Sequence, residues 1–132
     1  MILYTYLTKG RENMNSLNSV LIEGNLVRDP IEKSVGIATC VTFTIQTNRW
    51  FSHDDEKHNE VSYFDIECWN STARAVLANL SKGRGVRVVG RLRQDSWAGS
   101  DGQMRQEVKI VAETVEFTTQ FDRKPSEVKE IE

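Results

Sequence analysis

From Val20 onward, apolar and polar residues alternate in short runs separated by turn signals, which is the two-residue period of β-strands. The run "VLIEGNLVRDP" is a first predicted strand, with Gly24 at an expected bulge or sharp bend and Asp29-Pro30 closing it. In "IATCVTFTIQTNRW", Val41, Phe43 and Ile45 fall on one face of a second strand, opposite Thr42, Thr44, Gln46, Asn48 and Trp50. "FSHDDEKHNE" then reads as a hydrophilic connection to a third strand, "VSYFDIECW", where Phe64, Ile66 and Cys68 oppose Tyr63, Asp65, Glu67 and Trp69. The period changes in "NSTARAVLANLSKG", a short helix capped by Asn70 or Ser71, with Ala73, Val76, Leu77 and Leu80 on one stripe and Gly83 stopping it. A fourth strand, "GVRVVGRLRQ", sets Val86, Val88, Gly90 and Leu92 against Arg87, Val89, Arg91 and Arg93. "DSWAGSDGQ" is a long hairpin tip, and "MRQEVKIVAETVEF" returns as a fifth strand.

Five strands with one short helix between the third and fourth is the order of the OB-fold, a small all-β Greek-key barrel whose sheet face and loops bind oligonucleotides or oligosaccharides. The helix stripe is placed to plug one end of the barrel. The chain has 132 residues, 39% of them hydrophobic, which is enough for one domain and too little for two. That domain is expected over residues 18–117. Residues 1–17 form an N-terminal extension, expected to be flexible, and residues 118–132 a short polar tail. Met14 is the expected biological start, because "KGRE" before it reverse-translates to a purine-rich ribosome-binding sequence; a native arm is the alternative.

Charge changes the picture locally. The net charge is −2, so any polyanion must meet a stripe and not the overall field. "KGRGVRVVGRLRQDSW" supplies that stripe, with Lys82, Arg84, Arg87, Arg91 and Arg93 in twelve positions and no acid among them. Cys40 and Cys68 sit in apolar runs without the paired short spacings of a zinc site, so they read as buried free thiols of a reducing compartment. No apolar run approaches the length of a membrane span, and no leader or cleavage site is recognised, so the expected location is the cytoplasm, with no membrane partner.

The candidate chemistry is stacking plus phosphate contact. Trp50, Tyr63, Trp69 and Trp97 all fall at the edge of, or opposite, an apolar face, and displayed tryptophans forfeit burial without some compensating contact. An unpaired base supplies that contact, since every base has a π face, whereas a duplex hides its bases. Arg49, Lys82, Arg84, Arg87, Arg91 and Arg93 are the candidate phosphate contacts, gaining affinity by counterion release. The bland alternatives are an aromatic subunit interface and a solvated arginine face.

These segments resemble a family, the bacterial single-stranded DNA-binding proteins, across roughly Asn18 to Phe117. The resemblance rests on "VLIEGNLVRDP", "FTIQTNRW", "YFDIECWN", "LSKGRGVRVVGRLR" and "DSWAGSDGQMRQEV", in that order and spacing. It implies an OB-fold homotetramer with single-stranded DNA wrapped around it and no catalysis. Trp50 and Trp97 match the family's stacking tryptophans; Tyr63 stands where a tryptophan is usual and Trp69 where a phenylalanine is usual. Asp65 departs, since the family often has a cation there. Lys82, Arg84 and Arg93 fall in its cationic stretches, and Phe64 where it packs residues between subunits. The family typically continues into a long linker ending in an acidic peptide that recruits replication and repair proteins, whereas this chain stops at "SEVKEIE". Mitochondrial relatives also lack that peptide, which keeps the mitochondrial matrix as an alternative compartment.

Two competing functions remain open. "HDDEKH" gathers His53, Asp54, Asp55, Glu56 and His58 and raises a metal-dependent hydrolase on the same barrel. Its spacing matches no recognised ligand set and two histidines in one loop build no catalytic triad, so no catalytic residue, metal or cofactor is expected. The other competitor is a primosomal-type barrel acting mainly through protein partners.

Overall fold

Alternation at Val41, Phe43 and Ile45 gives a strand one dry face, and the chain buries that face by closing the sheet on itself. The computed structural model describes residues 15–118, in the order β1 (Val20–Leu26), β2 (Ile31–Val35), β3 (Ala38–His53), β4 (Glu56–Trp69), α1 (Asn70–Asn79), β5 (Gly85–Ala98) and β6 (Met104–Thr118). The expected extension up to Met14 and the tail from residue 119 lie outside the described residues.

The sheet order is β1-β5-β6-β4-β3-β2, and an additional β1–β3 pairing closes the five long-range strands into a barrel. This is the expected OB-type barrel with its single helix between β4 and β5. All pairings are antiparallel except β4 with β6, which run parallel at Ile66↔Ile110 and Glu67↔Val111. Leu26, Val41, Phe43, Ile45, Ile66, Cys68, Val86, Val88 and Ile110 fill the interior. Ala73, Val76 and Leu80 of the helix stripe join that core, while Leu77 turns outward. Cys40 and Cys68 are free and buried, as expected, and burial pushes the Cys68 thiol up to about 12.

Several local expectations are corrected. "PIEKSV" contains a sixth strand, β2, paired with β3 through a turn at Gly36 (φ 62°). All of its residues are exposed, so it has no dry face to leave a pattern. The hydrophilic connection is mostly strand: β3 and β4 continue to His53 and Glu56 and turn on Asp54-Asp55 alone, at φ 53° and 62°. Aspartate tolerates this left-handed geometry, which matches the twist of a two-residue hairpin. The second hairpin likewise stays paired to Ala98↔Met104, so Trp97 belongs to a strand.

Gly24 is not a bulge. β1 pairs continuously with β5 from Val20 to Asn25 and reaches β3 at Asn25 and Leu26, so Gly24 lies where the barrel closes. A Cβ there would stand 2.5 Å from the Gln46 carbonyl oxygen, which is why the position needs glycine. The irregularity lies in the β5–β6 ladder, between Val89 and Gly90. The helix starts at Asn70 with Trp69 in the cap position and no side-chain cap bond.

Candidate nucleic-acid interface

Because β4 and β6 run parallel where they meet, the β3–β4 and β5–β6 hairpins project from the same end of the barrel as two arms. Directly paired residues share a face. The pairs Trp50↔Asn59, Asn48↔Val61, Gln46↔Tyr63, Thr44↔Asp65 and Thr42↔Glu67 therefore line the outer face of the first arm down to the barrel wall. Trp97↔Arg105, Asp95↔Glu107, Arg93↔Lys109 and Arg91↔Val111 do so along the second. Glu67 joins the two series at the β4–β6 contact.

Three rings on this face are open to solvent: Trp50 at 43%, Tyr63 at 62% and Trp97 at 45%. Trp69 is half-buried, its indole N–H donating to Glu67 Oε1 at 2.9 Å. Between the arms and β2 runs a groove of about 260 Å³, lined among others by Arg28, Lys33, Thr42, Asp65, Glu107 and Lys109. Arg28 and Lys33 have no ion pair among the described residues. Asp65 accepts a hydrogen bond from Thr44 Oγ1 at 2.7 Å, which fixes an acid in the groove wall.

Of the five cations that made the sequence stripe, two are committed elsewhere. Arg87 lies between Glu23 at 3.1 Å and Glu116 at 3.5 Å, on the part of β5 flanked by β1, apart from the aromatic face. Arg93 is bound to Glu67 at 2.7 Å and Asp95 at 2.9 Å, and Lys109 approaches Asp95 at 3.3 Å. Burial by itself would raise the Glu67 carboxyl, but hydrogen bonds from Arg93 and Trp69, with the charges of Arg93 and Lys109, hold it below the usual range. The Arg93 hydrogen bond likewise lowers Asp95. Arg91 is exposed on the outer face, and Lys82 and Arg84 lie in the α1–β5 connection, where the Lys82 amide donates to Asp29 Oδ1 at 2.8 Å. None of these three has an ion pair among the described residues.

Arg49 points to the reverse of the first arm, 3.9 Å from Glu60 and over the Phe51 ring at 5.1 Å. His53 and His58 share that reverse side, with Phe51 stacked on His58 at 5.4 Å. "HDDEKH" forms the end of the first arm, and among the described residues no group of three His, Cys, Asp or Glu side chains is placed to hold a metal ion. No described helix is long and apolar enough to cross a membrane.

The model of the Single-strand binding protein family matches residues 17–118. This chain belongs to that family. Single-stranded DNA-binding protein 2 of Chlorobaculum tepidum is 36% identical over 79% of this chain and 72% of its own length. The single-stranded DNA-binding protein of Treponema pallidum is 37% identical over 79% of this chain; the match spans 59% of that relative, under two thirds of its length. A structure described as Plasmodium falciparum SSB in complex with ssDNA superposes with a TM-score of 0.73, covering 81% of this chain and 99% of that one at 23% identity, and so supports the fold.

Within this single-strand binding family member, sequence reasoning found Trp50, Tyr63, Trp97 and Arg91 on the shared face. It missed Arg28, Lys33 and Lys109 in the groove and the acids Glu67, Asp95 and Glu107 among the cations. Lys33 shares one face of β2 with Ile31 and Val35, but since every residue of the strand is exposed, nothing in the pattern marked it.

Proposed function

We infer that this chain binds single-stranded DNA without reading its sequence, stacking unpaired bases on Trp50, Tyr63 and Trp97, with Trp69 as a fourth, half-covered surface. The observation that carries this reading is the exposure of three large aromatic rings along one outward face that spans both arms. A stacked base is worth about 1–3 kcal/mol whatever its identity, so the face is indifferent to sequence. Arg28, Lys33 and Arg91, with Lys82 and Arg84 of the α1–β5 connection, are the cations without an ion pair among the described residues and free to follow phosphates. The role is binding and protection of single strands in replication, recombination and repair, in the bacterial cytoplasm, and it involves no catalysis. The relatives named as single-stranded DNA-binding proteins support the reading.

The assembly in this reading is a homotetramer. Leu21 is 71% exposed on the outer side of β1 and stands opposite Val89 of β5, an apolar surface that a second copy would cover. Light scattering that gives a monomer at micromolar concentration would refute the assembly and leave the DNA-binding face untouched.

The direct test is a titration of tryptophan fluorescence with an unstructured oligothymidine. Strong, saturable quenching is expected. No quenching, or metal-dependent degradation of the oligonucleotide, would overturn the reading.

A further inference from the structure

Glu67 is the one buried charged side chain among the described residues, 6% exposed, yet it lies on the outer face of the barrel and not in the core. Oε1 accepts the Trp69 indole N–H at 2.9 Å and faces Arg93 Nη1 at 2.7 Å. Oε2 accepts Arg93 Nη2 at 3.0 Å and faces Lys109 Nζ at 3.8 Å. Arg93 turns its remaining edge to Asp95, with Nε to Oδ1 at 2.9 Å and Nη2 to Oδ2 at 3.2 Å. The guanidinium thus directs its donors to two carboxylates, and the formal charges of Arg93, Lys109, Glu67 and Asp95 cancel.

A buried carboxylate is a costly way to hold a sheet together, since a well-packed apolar residue usually serves stability as well. What an apolar residue does not do is fix a tryptophan by its N–H and an arginine by its fork. An indole held before binding loses less freedom when a base arrives. We propose that Glu67 is a positioning residue for the stacking face: it holds the Trp69 ring in a set plane and turns Arg93 into a strut that is not available to phosphate. The inference rests on the single-strand binding reading above, but its first consequence is measurable without DNA.

The test uses a background in which Trp50 and Trp97 are replaced by phenylalanine, so that Trp69 alone reports. Glu67→Leu should lower the Trp69 fluorescence anisotropy and raise its quenching by acrylamide in the free protein. It should also weaken oligothymidine binding roughly tenfold, about one lost stacked base. Its log K against log salt should steepen by about 0.7, because Arg93, left with Asp95 alone, can turn the edge that Glu67 held to a phosphate. Glu67→Gln keeps an acceptor for the indole and should restore the anisotropy. As a second route that leaves Glu67 in place, Arg93→Gln in the otherwise native chain should weaken binding without changing the salt slope.

Unchanged Trp69 anisotropy and acrylamide quenching in Glu67→Leu would overturn the proposal. So would a shallower salt slope in Arg93→Gln, which would make Arg93 a phosphate ligand. If Glu67→Leu does not fold, Arg93→Gln and Glu67→Gln decide the matter alone. Absence of oligothymidine binding in the unsubstituted protein would sink the single-strand reading, while the anisotropy of free Trp69 would still report on Glu67.

Discussion

Trp97 of β5 stands directly opposite Arg105 of β6, and Arg105 is drawn back into the hairpin tip by an ion pair to Asp101 at 3.0 Å. The tryptophan is 45% exposed and takes no part in the core. Trp97→Ala should therefore weaken single-strand binding by about 1–3 kcal/mol, one stacked base, and leave the melting temperature nearly unchanged. Fluorescence titration and thermal unfolding check the pair of outcomes; a large fall in melting temperature with affinity intact would make Trp97 a packing residue.

Asp65 is held in the groove wall by Thr44, with Arg28 and Lys33 lining the same groove. An acid beside phosphate opposes binding by about 1 kcal/mol per close pair at a water-wet surface, an effect that salt screens. Asp65→Asn should tighten oligothymidine binding about fivefold at low salt, by that same arithmetic, with the gain shrinking at high salt. Weaker binding at every salt concentration would show that the carboxylate contacts the nucleic acid favourably.

Arg91 and Arg87 lie on one face of one strand but differ in what surrounds them. Arg91→Gln should reduce the slope of log K against log salt by about 0.7, the value for one phosphate on a single strand. Arg87→Gln should leave the slope unchanged, because Glu23 and Glu116 already neutralise that guanidinium. Equal effects of the two substitutions would show that the ion pairs of Arg87 open when DNA binds.

The carboxyls of Glu67 and Asp95 lie below their ordinary values of 4.5 and 3.8, so near those values the folded chain binds fewer protons than the unfolded one. Their contribution to stability is full at neutral pH and is lost as the pH falls below about 4.5 and through the depressed values. The difference in melting temperature between the native chain and Glu67→Gln should be largest near neutrality and close progressively in acid. A difference that stays constant down to pH well below the ordinary carboxyl range, or that widens, would contradict the ion-pair account.

The parts of the fold that need one dry face were legible in the sequence. Val41, Phe43 and Ile45, then Ile66 and Cys68, then Val86 and Val88, alternate because the barrel interior accepts every second residue. β2, the β3–β4 hairpin between Phe51 and Glu60, and the end of β5 from Asp95 were not legible as strands, because both of their sides are wet and burial left no period. The exposed rings of Trp50 and Tyr63 could be read from their parity, and that of Trp97 from its place at the entrance of a hairpin tip. The pairing of Arg93 with Glu67 could not, since Glu67 reaches Arg93, Lys109 and Asp95 of the β5–β6 hairpin only through the parallel contact of β4 with β6. A run of cations without an acid in sequence can still meet acids across the sheet.

The most direct test of the account compares one oligonucleotide as a single strand and as a duplex, over a range of salt, against the native chain and a Trp50→Ala/Tyr63→Ala/Trp97→Ala variant. The stacking face predicts strong preference for the single strand, similar affinity for a scrambled sequence, and loss of that preference in the variant while the salt slope persists. Equal binding of duplex and single strand by the native chain, or full single-strand affinity in the variant, would contradict it.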